Sequence, residues 1–476
     1  MRQQTFHLNG HIPGERARSD PYVYLPFQVP AGAQRIHVAY DYSDRVTAPF
    51  GLGPGNAVDI GIFDSRGYEF LEAPGFRGWS GNARREFEIS LAGATPGYIG
   101  GPLFPGEWNV LLGLARLNEA GVKYDVTVTV DIGESGAGLV RAGALTHEKL
   151  ALAVAAKPDE GRWLKGDLHC HTLHSDGSNP ISEIVAEALR LELDFLAITD
   201  HNTRSHIPEV DALGVTQPII LIPGEEVTTY WGHANTWGLR EWVDFRCADN
   251  ESIQAVQRWL HERNAMLSIN HAKCIGPPWL FNGWDGYDCM EVWQAPWRFY
   301  NWESLEKWDG LLQRGARVIA VGGSDTHSVP PAAPRHPHGL AEPTTWVYGE
   351  PTEAGVLAAI RAGHVFISDG PRGSHLKLWA DEDGDGKYEK MMGDAVSPKV
   401  VRFRVDIEGG MDRRLWIVSD GAPLDIIEID RAETQVEFTL DMSGRKYVRA
   451  ELRGWRGAPA RGEVVWAMTN PIWVSN

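Results

Sequence analysis

The chain has 476 residues, too many for a single ordinary core, so it is expected to divide into two or three domains. Hydrophobic residues make up 43% and charged residues 23%, which is globular usage, and no apolar run approaches the 18 residues that would suggest a membrane span. A net charge of -18 argues against a broad surface for binding nucleic-acid backbones, so neither a nucleic-acid nor a membrane partner is expected.

The start, MRQQTFHLNG, lacks the basic segment, apolar core and cleavage site of a secretory signal, and the expectation is a cytoplasmic protein. Cys170, Cys247, Cys274 and Cys289 form no CxxC pair, which speaks for reduced thiols and against a thiolate zinc site.

In chain order, residues 1–155 carry short β-like runs at Tyr22–Val29, Arg35–Tyr40, Val58–Phe63 and Tyr124–Val130, separated by Gly, Pro, Asp and Asn. Turn signals at that spacing predict a β-sandwich. From 156 to 370 strands alternate with helices. Asn179 and Pro180 read as an N-cap and first helical residue, and Ile181, Ile184, Val185 and Ala188 give one buried stripe. Strands are predicted at 194–199, 218–222, 266–270, 288–292 and 317–321, with helices at 251–264, 303–314 and 352–362. Such alternation implies a parallel sheet, open or closed into a barrel. Residues 371–476 return to β texture at 400–407, 414–418, 435–440 and 447–452, read as a second β-sandwich.

The chemistry concentrates in GDLHCHTLHSDG at 166–177. On a strand, His169 and His171 point to one face and Cys170 to the other, a geometry suited to a metal; the bland alternative is an exposed strand face. Further donors follow predicted strands: Asp200 and His201, Glu225 and Glu226, His271, and then Asp325 and His327. In a parallel α/β barrel those ends share the face on which active sites are built. No GxSxG elbow, HExxH or Walker-type loop offers another chemistry.

The segments DLHCHTLHSDG, ITDHN (198–202), PGEEV (223–227), INHAK (269–273) and GGSDTH (322–327) resemble, in order, the motifs of the polymerase and histidinol phosphatase (PHP) family of metal-dependent phosphoesterases. The GHANTWGL segment at 232–239 and the flanking β regions look most like its carbaryl-hydrolase-like branch. The resemblance implies a distorted (β/α)7 TIM-like barrel flanked by N- and C-terminal β-sandwich domains, holding two or three divalent metals. It assigns His169, His171, Glu226 and Asp325 to a first metal, with Glu226 bridging to a second held by His271 and His233. A third takes Asp176, His201 and His327. Glu226 is preferred over Glu225 as the bridge because it fits the family's G-x-E spacing.

Imidazole and carboxylate ligands without thiolate suit Zn, Mn or Fe, and the implied nucleophile is a metal-bridging hydroxide. Lys273 is a candidate to anchor an anionic oxygen or protonate the leaving group, and His206 and Arg204 are candidates to reach substrate; a solvated loop lysine is the plain alternative for Lys273. Asp325 is counted as a catalytic residue as well as a ligand. Arg335, His336 and His338 occupy a Pro-rich loop of the kind that shapes pockets. Ten of the 19 tryptophans lie between Trp231 and Trp308, either lining a pocket for a ring-bearing substrate or packing the core.

Asp381, Asp383 and Asp385 with Gly386 follow the order of a calcium loop, but Met392 stands where the bidentate glutamate belongs, so an acidic β-turn is the preferred reading over a Ca site. Three functions follow for a small-molecule ester substrate: phosphoester hydrolysis foremost, carboxylic or carbamic ester hydrolysis on the same site, or a non-catalytic scaffold whose β domains bind partners.

Overall fold

A computed structural model of the chain describes residues 2–46, 53–133, 161–283, 286–332, 334, 338–455 and 463–475. It divides into two compact units, Met1–Gly161 and Arg162–Asn476. No helix among the described residues is long and apolar enough to cross a membrane.

The first unit consists of two four-stranded antiparallel sheets. One runs Arg2–Ile12, Val122–Ile132, Ala33–Tyr42, Glu86–Ser90; the other runs Tyr22–Val29, Gly106–Arg116, Ala57–Phe63, Phe76–Gly81. Alternation drives their packing: Val126, Val128 and Val130 project from one sheet toward Val110, Leu112 and Leu114 of the other, all buried in one core.

In the second unit one sheet runs through Ile319–Gly323, Cys289–Gln294, Ser268–Ile269, Gly232–Trp237, Ile220–Thr229, Phe195–Ile198, Arg162–Asp167, Thr344–Gly349 and Val365–Ser368. It is an α/β arrangement, but the expected all-parallel sheet is corrected to a mixed one. Gly232–Trp237 pairs antiparallel with both neighbours. The cause is a tight hairpin after Thr229, where Gly232 adopts φ 146° and the Thr229 hydroxyl donates to its carbonyl at 2.8 Å. A side chain links the first strand of this run to the last but one: Thr345 Oγ1 accepts from Gly322 N at 2.9 Å and donates to Gly322 O at 2.7 Å.

The helix Ile181–Arg190 buries the expected Ile181, Ile184, Val185 and Ala188. Asn179 does not cap it. Its amide instead clamps the loop after His327, accepting from Val329 N and donating to Val329 O, both at 2.9 Å. Helices Asn250–Glu262, Asn301–Gln313 and Glu353–Ala362 also occupy predicted segments.

Val365–Ser368 pairs with Val464–Thr469, so the sheet continues across position 370 into the C-terminal β region. There the sheet of Tyr447–Gly454, Arg413–Ser419 and Ala422–Ile429 faces a second one built from His375–Asp381, Val400–Glu408 and Glu433–Asp441. Leu378, Phe403 and Val405 meet Leu415, Ala450 and Leu452 between them. The two sheets bury one apolar core, as in a sandwich.

Candidate metal centre

Strand ends assemble the site. His169 and His171 lie just past Arg162–Asp167, and the intervening Cys170 forms an isolated parallel bridge with Thr326. His201 forms another with Glu226. These pairings hold four segments that carry candidate ligands in fixed register. Cys170 is buried in the apolar core, so alternation sends both imidazoles to the opposite side.

Glu226 is the hub of the cluster. Its Oε1 lies 3.1 Å from His233 Nδ1, 3.2 Å from His271 Nε2 and 3.5 Å from His169 Nε2. Its Oε2 lies 2.7 Å from His201 Nδ1 and 3.5 Å from His171 Nε2. Asp325 Oδ1 sits 3.0 Å from His171 Nε2 and 3.4 Å from His169 Nε2. Asp176 Oδ1 reaches His327 Nε2 at 3.3 Å and His201 Nε2 at 3.6 Å.

Of four groups with donor atoms within 4.8 Å of one another, three lie here: His171, Asp176, His201 and His327; His169, His171 and Glu226; and His201, Glu226 and His233; the fourth is Asp381, Asp383 and Asp385. His169, His171 and Glu226 are buried, whereas Asp176, His201 and Asp325 are partly exposed, which gives the cluster one solvent-facing side.

The donor chemistry fits divalent cations. His169 Nδ1 is satisfied by Glu291 Oε1 at 2.8 Å, which leaves Nε2 as a lone pair, 3.1 Å from His171 Nε2 and beside two carboxylates. Burial, together with His201 and His327, pushes His171 down to about 4, so its ring is neutral, the ligating form. Burial opposes ionisation of Glu226, yet His201, His169 and His233 hold its carboxyl well below the usual range. Asp325 is likewise held low against burial by His169, by the hydrogen bond with His171 and by His327. Two of the candidate ligands carry backbone strain, His271 at φ 27° and Asp325 at φ 55°, as sites that must aim a side chain often do.

Other expected residues are placed differently. The Asp200 carboxylate accepts from Thr172 N, Thr172 Oγ1 and Ser175 Oγ, at 2.8, 2.7 and 2.6 Å, and so organises the loop between His171 and Asp176. Glu225 faces away, accepting from Val243 N at 3.1 Å, and burial pushes its carboxyl well up.

His206, expected near substrate, is fully buried with Nε2 2.9 Å from the Gly224 carbonyl, and Lys273 is 1% exposed. The Lys273 ammonium donates to Gln294 O and Asn301 Oδ1, both at 2.8 Å, and burial pushes it down to about 7. Neither presents a free polar head to the open side. Arg204 is exposed. His338 Nε2 lies 2.8 Å from Ser324 O; Arg335 and His336 lie outside the described residues.

Three of these tryptophans brace backbone. Trp237 Nε1 donates to Leu168 O at 3.0 Å and Trp242 Nε1 to Asn202 O at 3.1 Å, each next to a ligand, and Trp308 is buried on Val318 O. Trp284 lies outside the described residues. Asp381 spends both oxygens on its own turn, accepting from Gly384 N at 2.7 Å and Gly386 N at 3.0 Å, as an acidic β-turn does.

Residues missed in the sequence include Asp167, which accepts from His169 N, Ser324 N and Ala341 N, at 3.1, 3.0 and 2.7 Å. Asn270, next to His271 in INHAK, donates to Glu226 Oε1 at 3.0 Å. Glu291 and Gln294 also escaped notice; the predicted strand beginning at Asp288 was their one signal.

Residues 167–262 match the family model described as the PHP domain. An alignment of 69 residues is 41% identical to the 5'-3' exoribonuclease Rnm of Salmonella typhimurium, covering 14% of this chain and 23% of that protein. An alignment of 67 residues is 39% identical to a 5'-3' exoribonuclease of Haemophilus influenzae, again 14% of this chain and 24% of the relative. The chain thus aligns with less than a quarter of the length of these relatives.

Among solved structures, a two-domain protein from Bacteroides vulgatus containing a predicted PHP-like metal-dependent phosphoesterase superposes with TM-score 0.37 at 18% identity, over 65% of this chain and 96% of that one. An amidohydrolase from Chromobacterium violaceum gives TM-score 0.26 at 17% identity, over 37% and 91%.

The clamp on the loop after His327 predicts a measurable effect. Asn179→Ala leaves Val329 N and O without their side-chain partner in a buried setting and is expected to cost about 2 kcal/mol. Denaturant unfolding followed by tryptophan fluorescence would reveal it; a loss under about 0.5 kcal/mol, the lower bound for one net hydrogen bond, would show the clamp to be dispensable.

Proposed function

We propose that the protein is a metal-dependent hydrolase of phosphoesters, with His169, His171, Asp176, His201, Glu226, His233, His271, Asp325 and His327 as its metal ligands. The observation that carries this reading is the convergence of five imidazoles on the single carboxylate of Glu226, with Asp325 and Asp176 completing the ring. Two or three divalent ions held there, Zn, Mn or Fe, supply Lewis acidity toward a phosphoryl oxygen and acidify water.

The residues themselves bind and orient. Glu226 links the buried and open parts of the site, and Asp176, His201 and Asp325 border the side from which substrate approaches. The strands that carry these ligands form the barrel of residues 156–370, whose closure and assignment to the carbaryl-hydrolase-like branch rest on motif order and on the GHANTWGL hairpin. The segments 1–155 and 371–476 flank it as β domains.

A second reading, hydrolysis of a carboxylic or carbamic ester, is favoured by Lys273. Its ammonium is engaged by Gln294 and Asn301, which withdraws one of the cationic donors that a phosphomonoester dianion requires. A phosphodiester carries less charge and asks for fewer. The local identity to proteins named exoribonucleases supports adding RNA to the substrates tested, despite the acidic net charge.

The test is metal analysis of the purified protein, followed by assays on chromogenic phosphomonoester, phosphodiester, carboxylester and carbamate substrates and on an RNA oligonucleotide. Phosphoester turnover with Mn or Zn, lost in His171→Ala, is expected. Turnover confined to the carboxylester or carbamate would establish the second reading, and full activity in His171→Ala would remove both.

A further inference from the structure

The strand Cys289–Gln294 contributes none of the ligands above, yet it turns two polar side chains onto them. Residues three apart on a regular strand face opposite ways. Here the pairing with Ile319–Gly323 shifts register between Glu291 and Trp293, and this irregularity brings Glu291 and Gln294 to the same side. Gln294 Nε2 donates to Asp325 Oδ2 at 2.9 Å. Glu291, 2% exposed, spends both oxygens: Oε1 accepts from His169 Nδ1 at 2.8 Å and Oε2 from His271 N at 2.9 Å.

We propose that Glu291 is the positioning residue of the metal centre, fixing the tautomer of His169 and the backbone pose of His271 at once. The inference rests on the metal reading given above. An imidazole ligates through one nitrogen only while the other carries hydrogen. By accepting at Nδ1, Glu291 leaves the His169 lone pair on Nε2, the atom that faces Glu226 and Asp325. By accepting from His271 N it restrains a residue in the left-handed region, whose side chain points to the other end of the cluster. Burial keeps Glu291 from substrate, so its effect passes entirely through those two ligands.

Gly323 is the complement of this arrangement. A Cβ there would lie 2.5 Å from Glu291 Oε1 and 2.5 Å from His169 Cβ, so any side chain pushes the carboxylate off the ring. The glycine is required by this close approach, independently of any turn.

The test compares wild type, Glu291→Gln and Gly323→Ala by equilibrium titration with Zn2+ and with Mn2+ against a competing chelator, by bound-metal stoichiometry, and by 15N chemical shifts of the His169 ring in the Zn2+-loaded protein. Glu291→Gln keeps the shape but offers an amide, so at least one equivalent should bind about 10–100-fold more weakly. The His169 ring should lose its single Nδ1–H form. Gly323→Ala should weaken binding comparably with Glu291 intact, and the double variant should add little, since both changes break one contact.

Unchanged affinity in Glu291→Gln beside a wild type that binds its metal overturns the positioning role alone. A wild type that binds less than one equivalent overturns the metal reading, and this inference with it. If Gly323→Ala fails to fold, the isosteric Glu291→Gln still decides.

Discussion

Glu226→Gln is expected to lower turnover about 10³-fold, the equivalent of ~4 kcal/mol of transition-state stabilisation. The substitution is nearly isosteric, so packing around the 1% exposed side chain survives. What changes is charge and polarity at the hub. Oε1 and Oε2 now receive His233, His271, His169, His201 and His171, and an amide can offer only one oxygen to them. It also turns an NH2 toward imidazole nitrogens that should hold lone pairs. Bound metal measured beside turnover checks the expectation. Turnover within tenfold of wild type at full metal occupancy would refute the central place given to this carboxylate.

Arg449→Ala should destabilise the second unit by about 3–5 kcal/mol, because it leaves the buried Asp309 carboxylate without its cation and Glu451 with one of its two. Arg449 Nη2 lies 2.7 Å from Asp309 Oδ1, on the helix Asn301–Gln313, and its Nη1 meets Glu451 on the C-terminal strand. Tyr447 donates to the same Asp309 oxygen at 2.8 Å, and Arg453 pairs with Glu451. A melting temperature lower by about 10 °C is the expected readout. The double variant Arg449→Met with Asp309→Leu should recover part of the loss, since Glu451 keeps Arg453 and no lone buried charge remains.

The network also sets an acid limit. Burial opposes ionisation of Glu451, but Arg449 and Arg453 hold its carboxyl below the usual range. Its stabilisation is therefore complete above the ordinary glutamate pKa of about 4.3 and is lost as pH falls through the lower folded value. Wild type should lose stability below about pH 4, and Arg449→Ala should show a shallower acid slope; an identical slope would argue that Glu451 is not coupled to Arg449.

The candidate ligands were legible as short motifs. His201, Glu226, His271, Asp325 and His327 each follow a predicted strand, whereas His169 and His171 stood out by their two-residue spacing alone. The buried stripe of Ile181, Ile184, Val185 and Ala188 was equally plain, because nothing but a helix makes those spacings one face.

What escaped depends on geometry that composition does not encode. Glu291 and Gln294 reach the site only through a register shift within their strand. The helix Ile207–Thr216 buries just Ile207 and Val210, too few for a stripe. Gly232–Trp237 runs antiparallel because of one hairpin, and its motif-like sequence hid its strand character. Lys273 looked substrate-facing from its place two residues after His271; only the partners at Gln294 and Asn301 show where its head is held.

The pairing of Val365–Ser368 with Val464–Thr469 bears on how the chain can be divided. Texture alone invites a cut after residue 370. Such a cut would strip the ladder from a strand whose four residues are all buried, and would discard Asn470, whose amide bonds Ala320 N and O at 2.7 and 2.8 Å, next to the strand leading to Asp325. The exposed edge would template pairing with other chains. The last hundred residues thus complete the sheet that carries the candidate site, and a chain cut after residue 370 is expected to aggregate where the uncut chain does not.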